Sequence, residues 1–265
     1  MRNSTVPRPP RLTTGRLAAL VIGIPISLAV IAWGALTLVA LLSLDSFQIH
    51  RSFTPSASQL SVTVDSGDLT LIASGDSQVH LTGIAHYGLV RPTVDVTTTR
   101  ASVSVTVHCP WFVAGECSVD LTVAIPPRIE VTASTDTGNL TSNGLDDLSL
   151  RTDTGDLQVN GGSGFLHLSS QTGDITGVAI DAPSVTASAQ TGDVSLDFAQ
   201  VPTNVSAQDQ TGDVTVTLPG GGTAYAVSAH TQTGDTSVEV PTNPASTDEI
   251  SASTDTGDVT VESAG

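Results

Sequence analysis

Apolar and polar positions alternate with a period of two along most of this chain. The stretches LSVTVDSGDLTLIAS (60–74), SVSVTV (102–107), DVSLDF (193–198) and DVTVTL (213–218) all show it. Successive side chains of a strand point to opposite faces, so the alternation predicts strands with one face buried. Val, Thr and Ser dominate these runs, and they suit a pleated surface. No helical periodicity appears after residue 50. The pattern there predicts an all-β unit.

One earlier segment has a different character. Leu17–Leu44, LAALVIGIPISLAVIAWGALTLVALLSL, is 28 residues without a charge. As a helix it spans ~42 Å against ~30 Å of hydrocarbon, so it crosses a membrane with tilt or with its ends outside. Pro25 and Gly34 are compatible with a membrane helix, and Trp33 reads as a lipid-facing or packing residue. A cleaved signal peptide is the alternative, but its apolar region is only about 7–15 residues long. Arg2, Arg8, Arg11 and Arg16 precede the segment and none stands just inside its far end. That asymmetry puts the N-terminus in the cytoplasm and the rest of the chain outside.

Within the β region a turn repeats. The glycine of T-G-D, or of its T-G-N variant, stands at Gly138, Gly155, Gly173, Gly192, Gly212, Gly234 and Gly257, at intervals of 17, 18, 19, 20, 22 and 23 residues. A related DSGDL lies at 65–69. Between copies comes a second, variable turn: NGLDD, NGGSG, DAP, VPTN, PGGG and PTNPASTDE. Its lengthening accounts for most of the growth in interval. One unit is therefore strand, variable turn, strand, fixed turn.

The fixed turn has a structural rationale. Glycine takes positive φ without steric penalty, and Asp accepts the backbone N–H groups that a sharp corner leaves open. Thr tolerates extended geometry and can bond to its counterpart in the next unit. Repeats of this length with constant corners predict a single right-handed parallel β-solenoid, one unit per coil, with coils about 4.8 Å apart. Like side chains then stack on like. Thr137, Thr154, Thr172, Thr191, Thr211, Thr233 and Thr256 form one row, and Gln171, Gln190, Gln210 and Gln232 another. Leu157, Val159, Ile175, Val194, Leu196, Val214, Val216, Val238, Val240, Val259 and Val261 point inward, with Phe165, Phe198 and Tyr225 as the main aromatics. An antiparallel meander or sandwich is the alternative, since it also places the same turn at every second connection.

Charge narrows the choice of partners. The chain has no Lys, nine Arg and 26 acidic residues; beyond residue 44 there are 26 acids and five Arg, a net charge near −21. Such a surface repels nucleic acid and anionic lipid, which excludes nucleic-acid binding. Cys109 and Cys117 bracket PWFVAGE between two alternating runs. Outside the cytoplasm this pair is expected to form a disulfide across a hairpin, with free thiols as the alternative.

Each chemical candidate has a plain structural reading. The turn acids Asp156, Asp174, Asp193, Asp213, Asp235 and Asp258, with Asn139, form a row that is a weak calcium candidate. The calcium signature G-G-x-G-x-D-x-U-x is absent, and carboxylates bonded to the turn backbone are the simpler reading. A glycosidase needs two carboxylates across a cleft, and abundant acids do not discriminate. The six histidines show no metal-ligand spacing and there is no nucleophile motif, so no enzyme, catalytic residue or cofactor is expected. Trp111 and Phe112 offer a possible contact tip, or else a lid on the coil end. The last coil, ISASTDTGDVTVESAG, is followed by no capping segment and is expected to leave an open C-terminal edge suited to self-association.

The TGDVxV and SGDL units, the VHCP…C pair, the VAIPP before the first coil and the N-terminal anchor resemble a bacterial family. Its members are β-strand-repeat domains of unknown function, labelled adhesins by inference and akin to auto-transporter adhesin heads. The resemblance spans about residues 57–263. It implies a β-solenoid on a Gram-positive cell surface and brings no catalytic residues. Some relatives sit beside envelope-stress signalling components, which implies an accessory sensing role as the alternative. The lack of Lys with abundant Ala, Val and Thr resembles actinobacterial composition.

The expected organisation is a cytoplasmic tail (1–16), an anchor (17–44), a linker (45–56), an irregular β cap with the disulfide (57–130) and the repeat solenoid (131–265). The expected function is a membrane-anchored binding or structural module of the envelope with an unidentified ligand. The alternatives are a stress-signalling accessory and, less favoured, a polysaccharide-processing enzyme.

Overall fold

The alternating runs form strands whose apolar faces meet in one continuous core. The computed structural model describes residues 23–35, 45–55, 57–88, 90–99, 102–109 and 117–264. A helix covers 23–35, and among the described residues no helix is long and apolar enough to cross a membrane. The other residues of the expected span, and the tail before it, lie outside the described residues.

The strands are β1 (Asp45–Phe53), β2 (Gln59–Ser66), β3 (Leu69–Ala73), β4 (Val79–Tyr87), β5 (Thr93–Thr98), β6 (Ser102–His108) and β7 (Cys117–Ile125). Then come β8 (Glu130–Thr137), β9 (Leu140–Asn143), β10 (Leu148–Thr154), β11 (Leu157–Asn160), β12 (Phe165–Thr172), β13 (Ile175–Ile180) and β14 (Ser184–Thr191). The last are β15 (Val194–Phe198), β16 (Asn204–Thr211), β17 (Val214–Leu218), β18 (Ala226–Thr233), β19 (Thr236–Glu239), β20 (Glu249–Thr256) and β21 (Val259–Ser263). Residues 45–53, expected as linker, are thus strand β1.

Two sheets result. Sheet I has 11 strands in the order β1-β4-β7-β3-β9-β11-β13-β15-β17-β21-β19, and sheet II has 10 in the order β18-β20-β16-β14-β12-β10-β8-β2-β6-β5. Each fixed turn carries the chain from sheet II to sheet I, and each variable turn carries it back. Successive coils pair in parallel, Leu150 with Ala133 and Leu168, Leu157 with Leu140 and Ile175. This excludes the antiparallel meander for the repeat. Like stacks on like in the core: Leu140, Leu157, Ile175, Val194, Val214 and Val259 form one buried ladder. Aliphatic side chains of this size fill the narrow space between the two sheets.

The spatial order of the coils departs from chain order at both ends. The coil β20/β21 lies between β16/β17 and β18/β19, and the coil β2/β3 lies between β6/β7 and β8/β9. The expected open C-terminal edge is therefore wrong. The final strands are interior, and β18 and β19 form the edge instead. Val238, expected inside, is 39% exposed there. The reason lies in the connections. The loop after β17, which contains PGGG, must span two strand spacings, about 9.6 Å, to reach β18, and the loop after β19, which contains PTNPASTDE, must reverse direction and bring the chain back by one coil. They are the longest variable turns in the chain.

The row of glutamines is corrected for the same reason. Gln171, Gln190 and Gln210 belong to adjacent coils, but Gln232 sits one coil further out and donates its amide to Asp255 on the coil between. The opposite end of the stack is closed by antiparallel strands: β4 on β7, β1 on β4, and β5 on β6.

Candidate functional site

The corners concentrate the polar atoms of the repeat, so they are the first place to look for chemistry. At each corner the glycine adopts positive φ, 134° at Gly155 and 130° at Gly192. A Cβ on Gly192 would sit 2.5 Å from the carbonyl oxygen of Gly173 in the coil below. Only glycine combines this φ with so close a backbone approach. The corner stays paired: Gly155 N–H donates to Thr172 O at 2.9 Å and Leu157 N–H to Asp174 O at 2.8 Å.

The turn acids bond to backbone. Oδ1 of each accepts the backbone N–H of the next member in an adjacent coil, and Asp235 ends the row as a donor. The row runs Asp120, Asp68, Asn139, Asp156, Asp174, Asp193, Asp213, Asp258, Asp235, with every contact between 2.7 and 3.1 Å. Sequence reading missed Asp68 and Asp120 as members. DSGDL carried the signal for Asp68, whereas Asp120 follows Val119 where the other corners have glycine. Among the described residues, no group of three His, Cys, Asp or Glu side chains is placed to hold a metal ion.

The hydroxyl that binds across coils is not the corner threonine. It lies two residues earlier and points inward. Thr135, Thr152, Thr254 and Thr231 donate to the carbonyls of Gly67, Gly138, Gly212 and Gly257 at 3.4, 3.3, 3.0 and 2.9 Å. Asp209 occupies this inward position beside Thr254. It is 6% exposed, and neither carboxylate oxygen has a hydrogen-bond partner. Burial pushes its carboxyl up from the ordinary range, against the weaker opposing pull of the nearby Gln210 and Thr211 N–H groups.

Cys109 and Cys117 are disulfide-bonded, with Cα atoms 5.8 Å apart. They do not close a hairpin, because β6 and β7 belong to opposite sheets. The bond clamps the corner of the coil β6/β7, where Val119 passes over Gly67 in place of a glycine. The expected contact tip, Trp111 and Phe112, lies outside the described residues. Beside this corner, Asp65 accepts from Cys109 N–H at 3.0 Å and pairs with His108. Partial burial, then the like charges of Asp65 and Asp153, push the neighbouring Asp136 carboxyl up.

The outer faces of the sheets carry the remaining candidates. On sheet I a concavity of about 530 Å³ is lined by Gln48, His50, Thr82, Ile84, Asp120 and Thr122, with other residues of β3, β4 and β7. On sheet II one of about 380 Å³ is lined by Glu130, Asp147, Leu148, Ser149, Phe165 and His167. Phe165, grouped by sequence with the core aromatics, faces outward and is 70% exposed, whereas Phe198 and Tyr225 are buried. The reason is parity. Leu166 and Leu168 take the inward positions of β12, so Phe165 and His167 point out.

Stacked parallel coils with glycine–acid corners, whose acids are engaged by backbone, define a β-solenoid built on the corner as scaffold. The chain belongs to the Toastrack family, DUF4097, whose sequence profile matches residues 115–262. No curated protein matches it. Among solved structures it is similar to an inferred cell adhesion protein from Clostridium sporogenes, at 11% identity over 83% of this chain and 100% of that one, with a TM-score of 0.45. It is also similar to an inferred adhesin from Bacteroides fragilis, at 14% identity over 82% and 97% of the two chains, TM-score 0.43. A third similar structure, named as an inferred lipid-binding protein from Parabacteroides distasonis, has 9% identity over 84% and 97%, TM-score 0.41.

Proposed function

We propose that this protein is a membrane-anchored binding or structural module of the cell envelope. It presents an acidic solenoid, wound right-handed, on the outer side of an actinobacterial membrane. The anchor is 17–44 with the tail 1–16 inside. Residues 57–130 close the membrane-proximal end and 131–265 form the repeat. The observation that carries this reading is the use of the repeat chemistry within the fold. The row of turn acids is spent on backbone N–H groups, and what faces solvent is two long, hydroxyl-rich sheets. That arrangement offers surface for binding rather than a convergent reacting centre.

Retention of envelope material by the outer portion, residues 46–265, tests the reading. Selective retention supports it. Failure to retain any component, with the portion folded, sinks the binding half.

One observation favours the signalling accessory as a second reading. Strand β1 begins at Asp45, the residue that follows the expected anchor segment 17–44 in sequence, so sheet I starts close to the anchor along the chain. Replacing 17–44 by an unrelated apolar helix separates the two. Binding survives the exchange, and signalling does not.

A further inference from the structure

We propose that the outer face of sheet II around Phe165 and His167 is a binding site for a neutral saccharide chain. The proposal rests on the binding-module reading above and names the ligand class for it.

Phe165 and His167 are both exposed on β12, two residues apart on the same face. Their neighbours across the sheet are small and polar. Phe165 pairs with Ser184, and His167 pairs with Ser149 on one side and Thr186 on the other. The aromatic ring therefore stands beside His167 on a face whose cross-strand partners are short hydroxyl side chains. A large apolar side chain that is 70% exposed gains little from the fold. Its ring face is free for a ligand.

The concavity beside it has the mixed lining that a pyranose needs. One side is apolar, from Phe165. Beside Leu148, the rest is polar, from Glu130, Asp147, Ser149 and His167, in a space of about 380 Å³. That is within the range of small-ligand sites. Gln59 takes one oxygen of Glu130 at 3.0 Å, and Phe165 N–H takes Oδ1 of Asp147 at 3.1 Å. These bonds hold the two carboxylates in place, and each keeps a second oxygen to accept from a sugar hydroxyl. The C–H face of a sugar ring packs on an aromatic face while its equatorial hydroxyls bond at the rim.

Charge selects among saccharides. Glu130 and Asp147 are exposed at the site, Asp146 is exposed next to it in sequence, and the chain carries a net charge of −17. Anionic glycans and teichoic-type polymers are repelled. A neutral chain meets no such barrier, and it can continue along the sheet past Ser184 and Asn204, which pair in register beyond Phe165.

The test uses the full chain in detergent micelles. Tetramers of N-acetylglucosamine, mannose and galactose are the neutral probes, with polygalacturonate as the anionic control. Saturation-transfer NMR reads which sugar protons touch the protein, and calorimetry reads affinity. At least one neutral tetramer binds saturably with its C–H face saturated, polygalacturonate does not, and Phe165→Ala weakens binding by about tenfold or more. The melting temperature of Phe165→Ala stays at the wild-type value, so lost binding is not lost folding. No binding of any neutral tetramer overturns the proposal. Equal binding by Phe165→Ala, or preference for polygalacturonate, does the same. Retention of envelope material by wild type and Phe165→Ala alike sinks this site but leaves the binding-module reading intact. Retention by neither sinks both. Phe165-dependent capture of a protein instead of a glycan overturns the ligand class.

Discussion

The backbone N–H of Asp193 donates to Oδ1 of Asp174 across 2.8 Å, from one coil to the next. The same bond recurs along the stack, so each turn acid acts as an acceptor and its negative charge is incidental to that role. Asn139 already fills one place in the row with a neutral oxygen, which accepts from Asp156 N–H at 2.9 Å.

Asp174→Asn therefore keeps the acceptor and leaves stability within about 0.5 kcal/mol, whereas Asp174→Ala removes it and costs about 1 kcal/mol. Thermal unfolding followed by circular dichroism reads the difference as about 2–4 °C. Millimolar calcium leaves the wild-type melting temperature unchanged. A calcium-dependent rise that Asp174→Asn abolishes would falsify the acceptor-only role.

Gly192 and Gly75 form a matched contrast. Gly192 combines a φ of 130° with a carbonyl in the way of any Cβ, while Gly75 has open space around it. Gly192→Ala costs more than about 3 kcal/mol, and Gly75→Ala is near neutral. Equal melting temperatures for the two variants would show that the corners yield more readily than their geometry implies.

Asp209 makes stability depend on pH. Burial raises its folded carboxyl above its ordinary value of 3.8. The protonated form is the one the core tolerates, so its stabilising share is fully present below that value and is lost as pH rises through the folded pKa. Asp209→Thr restores the residue found at this position in the adjacent coil. It raises stability at neutral pH by about 1–3 kcal/mol and flattens the decline on the alkaline side of 3.8. Unfolding midpoints at a series of pH values test both effects. A wild-type midpoint that climbs across the same window, with no gain in the variant, contradicts the assignment.

The Cys109–Cys117 bond clamps two strands that share no backbone hydrogen bonds with each other. With a sequence separation of 8, its removal in the Cys109→Ser/Cys117→Ser variant costs about 2–3 kcal/mol. Hydrogen exchange in that variant accelerates first in β6 and β7, while β12 and β14 keep their protection. Uniform acceleration along the stack would mean that the clamp supports the whole rod.

The strands, the corners and the like-on-like stacking were all legible in the chain. Two-residue alternation decides which faces are buried, and the glycine–acid pair specifies a corner that only glycine can turn. The same parity placed Leu166 and Leu168 inward, and so already implied that Phe165 points out. It was grouped with the core aromatics on hydrophobicity alone. The exposed face that carries the proposed saccharide site followed from counting along β12, but its neighbours Ser184, Ser149 and Thr186 did not, because pairing partners come from other coils.

What the amino-acid order settled by itself was local: period, turn type and the chemistry of each corner, since these depend on residues within a few positions. What only the tertiary structure decided was which coil lies beside which. Every coil offers nearly the same ladder of backbone groups and apolar side chains to its neighbours, so pairing alone does not distinguish β20/β21 from β18/β19 as the next coil after β16/β17. Connection length and end packing break that near-degeneracy, and both act across the assembled stack rather than along the chain.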